Sequence, residues 1–440
     1  MKMIEDVKVP EGWRRMRLGE IIERIGDGGT PPTEDLTNFD GKIPWVVIED
    51  IKKRIYKTKT SLSKKGLNRC NAKLWSKGSI ILSFGATIGE VGIAEVDLST
   101  KQGIAGIEIK KGVIDNLFLY YVLINKKKEL IRYANGTTIK EIRPKTIREK
   151  IHILNPPLPE QRKIADILET VDNSIERTDT IIEKYKRIKQ GLMQDLLTRG
   201  VVENDELGVM NYELRDEKKH KFKDSPLGRI SEEWEVVEIY EICNIINGGT
   251  PKTEKPEYWN GDIPWLSVED FNTGKRWVVS STKYITELGL KKSATRLLRK
   301  GMLIISARGS VGVIAQLGRD MAFNQTSYGL DSKDKSHITN DFLYYALKHY
   351  INSFLSLAYG NVFDTITRDT FKETKIPIPP LSEQHRIASV LSQMDQTIEK
   401  EQKYKQKLER IKQGLMEDLL TGKVRVNHLI KEGMENVQTA

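Results

Sequence analysis

The chain has 440 residues, 38% of them apolar and 30% charged, a formal net charge of +10 and two cysteines. That length accommodates two or three domains, each with its own core, and no apolar run is long enough for a transmembrane helix. Cys70 and Cys243 are too few for a disulfide framework or a metal cluster and read as small buried hydrophobes. The opening MKMIEDVKVPEGW lacks the apolar core of a secretory signal, so a cytoplasmic setting is expected.

Residues 1–157 read as a mixed α+β globular domain. Short apolar runs at Trp45–Ile48, Ser79–Leu82 and Ile104–Ile109 alternate with a helical patch at Asn116–Ile131, punctuated by Gly and Pro. The charge excess sits here: Met1–Pro159 carries 29 Lys and Arg against 19 Asp and Glu. A basic domain points to a polyanionic partner. Lys52, Lys53 and Arg54 begin the basic stretch, which continues through Lys57, Lys59, Lys64, Lys65, Arg69, Lys73 and Lys77. Most of these suit phosphate contacts or solvent.

Residues 158–200 follow a Pro-Pro pair and form one long helix, with Glu160 in its first turn, where the helix dipole favours an acid. Ile164, Leu168, Val171, Ile175, Ile182, Tyr185, Leu192 and Leu196 step by four and three, interrupted at Thr178. This is an a/d seam with balanced charges around it, 8 basic against 8 acidic residues from Glu160 to Arg199. An ordinary surface helix is the alternative, but such helices usually run about 8–20 residues.

Residues 201–224 are polar, lack a counterpart elsewhere in the chain and read as a connector. Residues 225–380 then repeat the first domain, and 381–422 repeat the helix, displaced by about 223 positions. The second seam comprises Ile387, Leu391, Met394, Ile398, Leu408, Leu415 and Leu419, interrupted at Glu401 and Lys405. Residues 423–440 form a C-terminal tail. Two such helices, each roughly 60 Å long at 1.5 Å rise, pack most simply antiparallel about a pseudo-twofold axis, with the domains at opposite ends of a rod. The polar gaps would help to set the register.

The repeat is strictest in a few blocks. Pro-Pro-Leu-x-Glu-Gln occurs at Pro156 and Pro379, and Lys-Gln-Gly-Leu-Met-x-Asp-Leu-Leu at Lys189 and Lys412. Gly28-Gly29-Thr30-Pro31 returns as Gly248-Gly249-Thr250-Pro251, and Ile43-Pro44-Trp45 as Ile263-Pro264-Trp265. The glycine turns expose amides and a hydroxyl, so either they are structural turns or they approach a phosphate. A second loop pair, Ser83-Phe84-Gly85-Ala86-Thr87 and Ser306-Ala307-Arg308-Gly309-Ser310, shares a frame but exchanges Gly85 for Arg308. Gln102 and Gln325 hold equivalent places. Arg and Gln are the side chains that read guanine and adenine edges bidentately.

No catalytic motif stands out. Asn155-Pro156-Pro157-Leu158 is similar to the adenine-holding tetrad of amino-methyltransferases but lacks the aromatic residue, a preceding Gly-rich cofactor loop and a copy in the second repeat. There is no Walker loop, and the six histidines never fall at metal-ligand spacing. Asn135-Gly136-Thr137 fits a glycosylation sequon that a cytoplasmic protein would not use.

The twofold pattern of globular units opening on Trp13 and Trp234, the GGTP loops, the Pro-Pro-Leu-x-Glu-Gln blocks and the closing helices resembles the specificity (S) subunit of type I restriction–modification enzymes, from about Glu11 to Gly422. The resemblance implies a noncatalytic subunit of a multisubunit restriction endonuclease and adenine methyltransferase. Each globular unit would be a target recognition domain reading half of a bipartite, asymmetric site in double-stranded DNA. The helices would fix the spacer and dock two methyltransferase (M) subunits, with restriction (R) subunits joining. This chain would bind no cofactor; S-adenosylmethionine, ATP and Mg would belong to the other subunits.

The candidate DNA contacts are Gly28, Gly29, Thr30, Lys52, Lys53, Arg54, Ser83, Thr87, Gln102, Gly248, Gly249, Thr250, Ser306, Arg308, Ser310 and Gln325. The seam leucines, isoleucines, Val171 and Met394 are the candidate helix or subunit interface, and no metal or membrane contact is expected. A coiled-coil scaffold unrelated to DNA would explain the helices but not the repeated loops. A stand-alone DNA adenine methyltransferase would need a cofactor loop.

Overall fold

A computed structural model describes residues 8–85, 87–134, 141–204, 211–352, 355 and 365–430. The sequon at Asn135 and the loop residue Ala86 lie outside these. The chain divides into two compact units, the first combining Met1–Asp179 with Tyr404–Ala440 and the second spanning Thr180–Lys403.

In unit 1, β1 (Arg14–Arg17) pairs antiparallel with β10 (His152–Asn155), so the globular part opens and closes on one ribbon. Between them, β2 (Ile22–Asp27), β9 (Ile104–Ile109), β6 (Ile80–Ser83), β7 (Val91–Ala94) and β4 (Arg54–Ile55) form a five-stranded sheet in that order. A smaller sheet places β3 (Phe39–Val46) between β5 (Ser61–Leu62) and β8 (Ser99–Thr100). The run Ile80–Ser83 is buried throughout, which explains its continuous apolar composition. Helix α1 (Asn116–Asn125) is started by Asp115, whose carboxylate accepts from the amides of Leu117 and Phe118.

Unit 2 repeats this plan. Its ribbon is β15 (Glu235–Glu238) with β25 (Lys375–Ile378). Its larger sheet runs β16 (Cys243–Asn247), β24 (Ser327–Ser332), β21 (Leu303–Ser306), β22 (Ile314–Leu317), β18 (Trp277–Val278). Its smaller sheet runs β19 (Lys283–Ile285), β17 (Trp259–Leu266), β23 (Met321–Phe323), β20 (Leu297–Leu298), and its helix is α3 (Asn340–His349). Two hairpins have no counterpart among the described residues of unit 1: β11 (Val201–Asn204) with β12 (Asn211–Leu214), and β13 (Phe222–Ser225) with β14 (Gly228–Ser231).

The long helices are α2 (Leu158–Thr198, 41 residues) and α4 (Leu381–Leu420, 40 residues). Each contributes one part to each unit. Within unit 1, Lys412 meets Asp172 at 2.6 Å and Lys405 meets Asp179 at 2.7 Å. The partner number falls as the other rises, so these helix segments run antiparallel, as expected. In unit 2, Lys189 on α2 pairs with Asp395 on α4.

The seam divides by depth. Ile164, Leu168, Leu415 and Leu419 join the core of unit 1, and Leu192, Leu196, Ile387 and Leu391 that of unit 2. Val171, Ile175, Ile182, Met394, Ile398 and Leu408 lie between, buried or half-buried, outside both cores. Thr178 points inward at 3% exposure and satisfies its hydroxyl on Ser174 O of its own helix at 2.7 Å. Of the polar gaps, only Lys405 makes a bond to the opposite helix.

The Glu-Gln pair of the repeated helix start does more than face a helix dipole. Glu160 is 2% exposed and accepts from Trp13 Nε1 at 2.9 Å and from Arg425 Nε and Nη2 at 2.7 and 2.9 Å. Glu383 likewise accepts from Trp234 Nε1 at 3.1 Å, from Arg215 and from the Val201 amide at 2.7 Å. Gln161 and Gln384 are fully buried. Their amides donate to Pro156 O and Pro379 O, and their carbonyls accept from the Asp115 and Thr339 amides before α1 and α3. Asn155 accepts from Gln161 at 3.2 Å, so the tetrad with Pro156 serves the helix start.

The reading of 201–224 as an unmatched connector therefore needs correction. Its Arg215 does in unit 2 what Arg425 of the tail does in unit 1, while Val201 joins the core of unit 2 and Tyr212 and Leu214 pack against it. Sequence comparison misses this because a single arginine in a polar stretch carries no local signal. Cys243 is buried as expected, but Cys70 is only half-buried, its thiol directed at Gly66 O.

Candidate nucleic-acid interface

The glycine turns are explained by packing. A Cβ on Gly28 would overlap Thr100 O, and one on Gly29 the Ala72 amide; Gly248 and Gly249 meet Asn324 O and the Thr295 amide in the same way. Gly28 N donates to Ile104 O, Gly29 N to Thr100 O and Gly249 N to Phe323 O. The amides of these three glycines are thus committed internally, which removes the expected phosphate cradle. The repeated Ile-Pro-Trp completes the lock, because Trp45 and Trp265 donate their indole N–H to Gly29 O at 3.1 Å and Gly249 O at 3.0 Å.

Ser83 and Ser306 also serve the frame. Both are buried, accepting from Glu90 N at 2.8 Å and Val313 N at 2.9 Å. Lys53 and Arg54 are absorbed by carboxylates: Lys53 by Glu169 at 3.2 Å and Asp172 at 3.7 Å, Arg54 by Glu169 and Glu95. Arg54 and Lys53 hold Glu169 below the ordinary carboxylate range even though burial opposes ionisation. In unit 2 the register of β18 on β22 puts Trp277 in the place of Arg54. Arg276 there uses Asp341 and Gln316, leaving a cleft of about 410 Å³ beside Trp277 and Ser392. Lys65 and Arg69 share Asp35. Among the described residues Lys52, Lys57, Lys59, Lys64, Lys73 and Lys101 have no ion-pair partner, and all except Lys101 come from the basic stretch.

What remains of the candidate set converges. The end of β2, the start of β9 and the end of β6 share one edge of the larger sheet. Phe84 N and Gly85 N donate to Gly103 O at 2.9 and 3.1 Å, and Asp27 Oδ1 accepts from Gly103 N at 2.9 Å. Burial raises the Asp27 carboxyl above its ordinary range, against these amide bonds. Thr30, Thr87 and Gln102 are therefore presented together, all exposed. Unit 2 repeats the paired loop bonds, Ala307 N and Arg308 N donating to Thr326 O at 2.8 and 3.2 Å, but there Thr326 N donates to Asn324 Oδ1 at 3.2 Å in place of the bond from Gly103 N to Asp27. Arg308, Ser310 and Gln325 are its exposed residues, and the half-buried Thr250 donates its hydroxyl to Gln325 Oε1.

Lys101, absent from the expected set, belongs to this cluster. It is exposed beside Gln102, and its backbone is tied to Val46 O at 2.9 Å. Aligning Lys101-Gln102 with Asn324-Gln325 would have revealed it. Each cluster thus offers hydrogen-bonded backbone, hydroxyls, an amide and, at positions that differ between the repeats, the exposed cations Lys101 and Arg308. Such groups suit phosphates and base edges. Among the described residues no group of His, Cys, Asp and Glu is arranged to hold a metal, and no helix is long and apolar enough to cross a membrane.

A family model described as "Type I restriction modification DNA specificity domain" matches residues 10–187 and 231–410, one copy for each repeat. The type I restriction enzyme MjaVIII specificity subunit of Methanocaldococcus jannaschii is 29% identical over 439 residues, covering 97% of this chain and 96% of that protein. The EcoR124I/EcoR124II specificity subunit of Escherichia coli is 29% identical over 191 residues, 41% of this chain and 46% of that one. The crystal structure of the S subunit of a type I restriction–modification system from M. genitalium superposes with a TM-score of 0.60 at 19% identity, covering 96% of this chain and 98% of that one, and shares the fold. With both repeats matched and the fold shared, the chain belongs to the type I restriction–modification DNA specificity family.

Proposed function

We propose that the loop cluster of each unit reads one half of a bipartite, asymmetric site in double-stranded DNA. The observation that carries this reading is the duplication of the loop-frame backbone bonds combined with unlike exposed side chains upon them. Two readers of one design need a shared backbone and different reading residues. The basic excess of the first domain supports DNA as the partner, through phosphate neutralisation.

The long helices fix the spacer and dock two methyltransferase subunits, with restriction subunits joining that complex. The outward side of the Lys-Gln-Gly-Leu-Met block supports this. Ile188 and Ile411 are 40% and 41% exposed at equivalent positions, and nothing lies within 4 Å of where a Cβ on Gly191 or Gly414 would sit. An identical apolar face kept twice suits two copies of one partner. The chain itself supplies specificity; S-adenosylmethionine, ATP and Mg act in the other subunits.

The test mixes purified chain and methyltransferase subunit with duplex DNA and follows footprints against salt. Protection of one bipartite sequence, with affinity falling steeply as salt rises, is expected. Equal affinity for all sequences would refute the reading. Ile188→Asp and Ile411→Asp should each abolish binding of one methyltransferase copy while leaving the thermal stability of the free chain unchanged.

A further inference from the structure

We infer that Arg308 reads a guanine in the half-site of unit 2, and that the residues held constant between the two loop clusters contact the DNA backbone. The inference rests on the reading of both clusters as DNA readers. The sugar-phosphate backbone is alike at both half-sites, whereas the bases differ. A residue identical in both repeats therefore matches what is identical in both half-sites. Thr30 and Thr250, and Gln102 and Gln325, are the identical pairs, and Thr87 and Ser310 keep a hydroxyl; all are exposed except Thr250, which is half-buried.

Arg308 is the opposite case. Its backbone has the same hydrogen bond as Gly85, to Thr326 O at 3.2 Å against Gly103 O at 3.1 Å, so the frame beneath it is unchanged. Its preceding residue is fixed on both sides: Ala307 N donates to Thr326 O, and Ala307 O accepts from Ile366 N at 3.1 Å, as Phe84 O does from Ile142 N at 3.0 Å. On this frame the guanidinium stands exposed, and no ion pair or side-chain hydrogen bond engages it among the described residues. In unit 1 an exposed cation stands at a different position, Lys101, whose counterpart Asn324 is turned inward to Thr326. Two clusters that agree in backbone, hydroxyls and amide thus differ in where they place a free cation. A planar guanidinium offers two parallel N–H donors matched to guanine O6 and N7 in the major groove, and this is the commonest specific base contact.

The experiment is selection from a randomised duplex library by the full-length chain in complex with its methyltransferase subunit. Wild type is compared with Arg308→Gly, Arg308→Lys and Gln325→Ala, each checked by thermal melting. The wild-type motif should contain a guanine in one half-site. Arg308→Gly should make that position degenerate, with a roughly 10- to 100-fold loss of preference there and no change in the other half. Arg308→Lys should retain part of the preference, and Gln325→Ala should weaken all sequences alike. If Arg308→Gly weakens all sequences equally and lowers the salt slope by about one, Arg308 is a phosphate contact and the inference is overturned. A changed position that is not guanine overturns it as well. A wild-type complex that selects no motif refutes the underlying DNA-specificity reading instead.

Discussion

Removing the carboxylate of Glu383 is the sharpest perturbation of this architecture. Its oxygens accept from Arg215, from the Trp234 indole and from the Val201 amide. The side chains of Arg215 and Glu383 are 4% and 5% exposed. Glu383→Ala leaves a buried guanidinium whose remaining carboxylate, Glu233, is 68% exposed. Breaking a buried pair from one side costs about 3–5 kcal/mol, and the orphaned indole and amide keep the figure at the upper end. For a unit of this size, at about 2–4 °C per kcal/mol, that corresponds to a fall of roughly 8–20 °C in the melting of unit 2. Glu160→Ala should cost less, about 1.5–3 kcal/mol, because the side chain of Arg425 is 28% exposed and water can replace part of the bond. Differential scanning calorimetry, with hydrogen exchange over residues 201–204 and 381–391 for unit 2 and 158–168 for unit 1, assigns each loss to its unit. The double variant Glu383→Leu with Arg215→Met should recover much of the loss, since a buried pair is often replaceable by apolar side chains. A loss below about 1 kcal/mol for Glu383→Ala, or an equal loss for Glu160→Ala, would refute the reasoning.

Gly249→Ala drives a methyl into the Thr295 amide and displaces the Trp265 lock, at a cost of about 1–3 kcal/mol in thermal denaturation, typical of overpacking. Lys412→Met should destabilise unit 1 by about 1.5–3 kcal/mol, since Asp172 is 9% exposed. Lys186→Met, which breaks an exposed pair with Glu183, should lie within about 0.5 kcal/mol of wild type on the same measurement. Burial pushes the Cys243 thiol up to about 12, so at neutral pH it is un-ionised as well as inaccessible. A thiol reagent should modify Cys70 in the native chain and Cys243 only after unfolding; two fast equivalents would contradict its burial.

Much of the protein was legible in one dimension. Duplication, helix periodicity and the repeated blocks are local patterns, and local patterns survive in a sequence. They sufficed for the two domains, the antiparallel helices and the family. They also brought together most of the candidate loops, because Gly28–Thr30, Ser83–Thr87 and Gln102 each sit at a strand end, where a strand pattern itself places them. Yet the sequence left the glycine turns open between structure and phosphate contact, and it did not show the internal bonds of Ser83 and Ser306 or the carboxylate partners of Lys53 and Arg54. A backbone amide exposed in a turn and one spent on Ile104 O or Thr100 O look the same in sequence.

What only tertiary structure decided are the partners. Trp13 and Glu160 are 147 positions apart, Arg425 and Glu160 265, and Arg215 and Glu383 168. No periodicity links such residues: the β1–β10 ribbon brings Trp13 to Glu160, and the ends of α4 and the segment after α2 bring in Arg425 and Arg215. The sequence by itself determined that there are two readers of one design. Folding decided which side chains hold each reader rigid and which, Arg308 and Lys101 among them, are left free, because a charge is free only when no carboxylate from a distant segment has been folded against it.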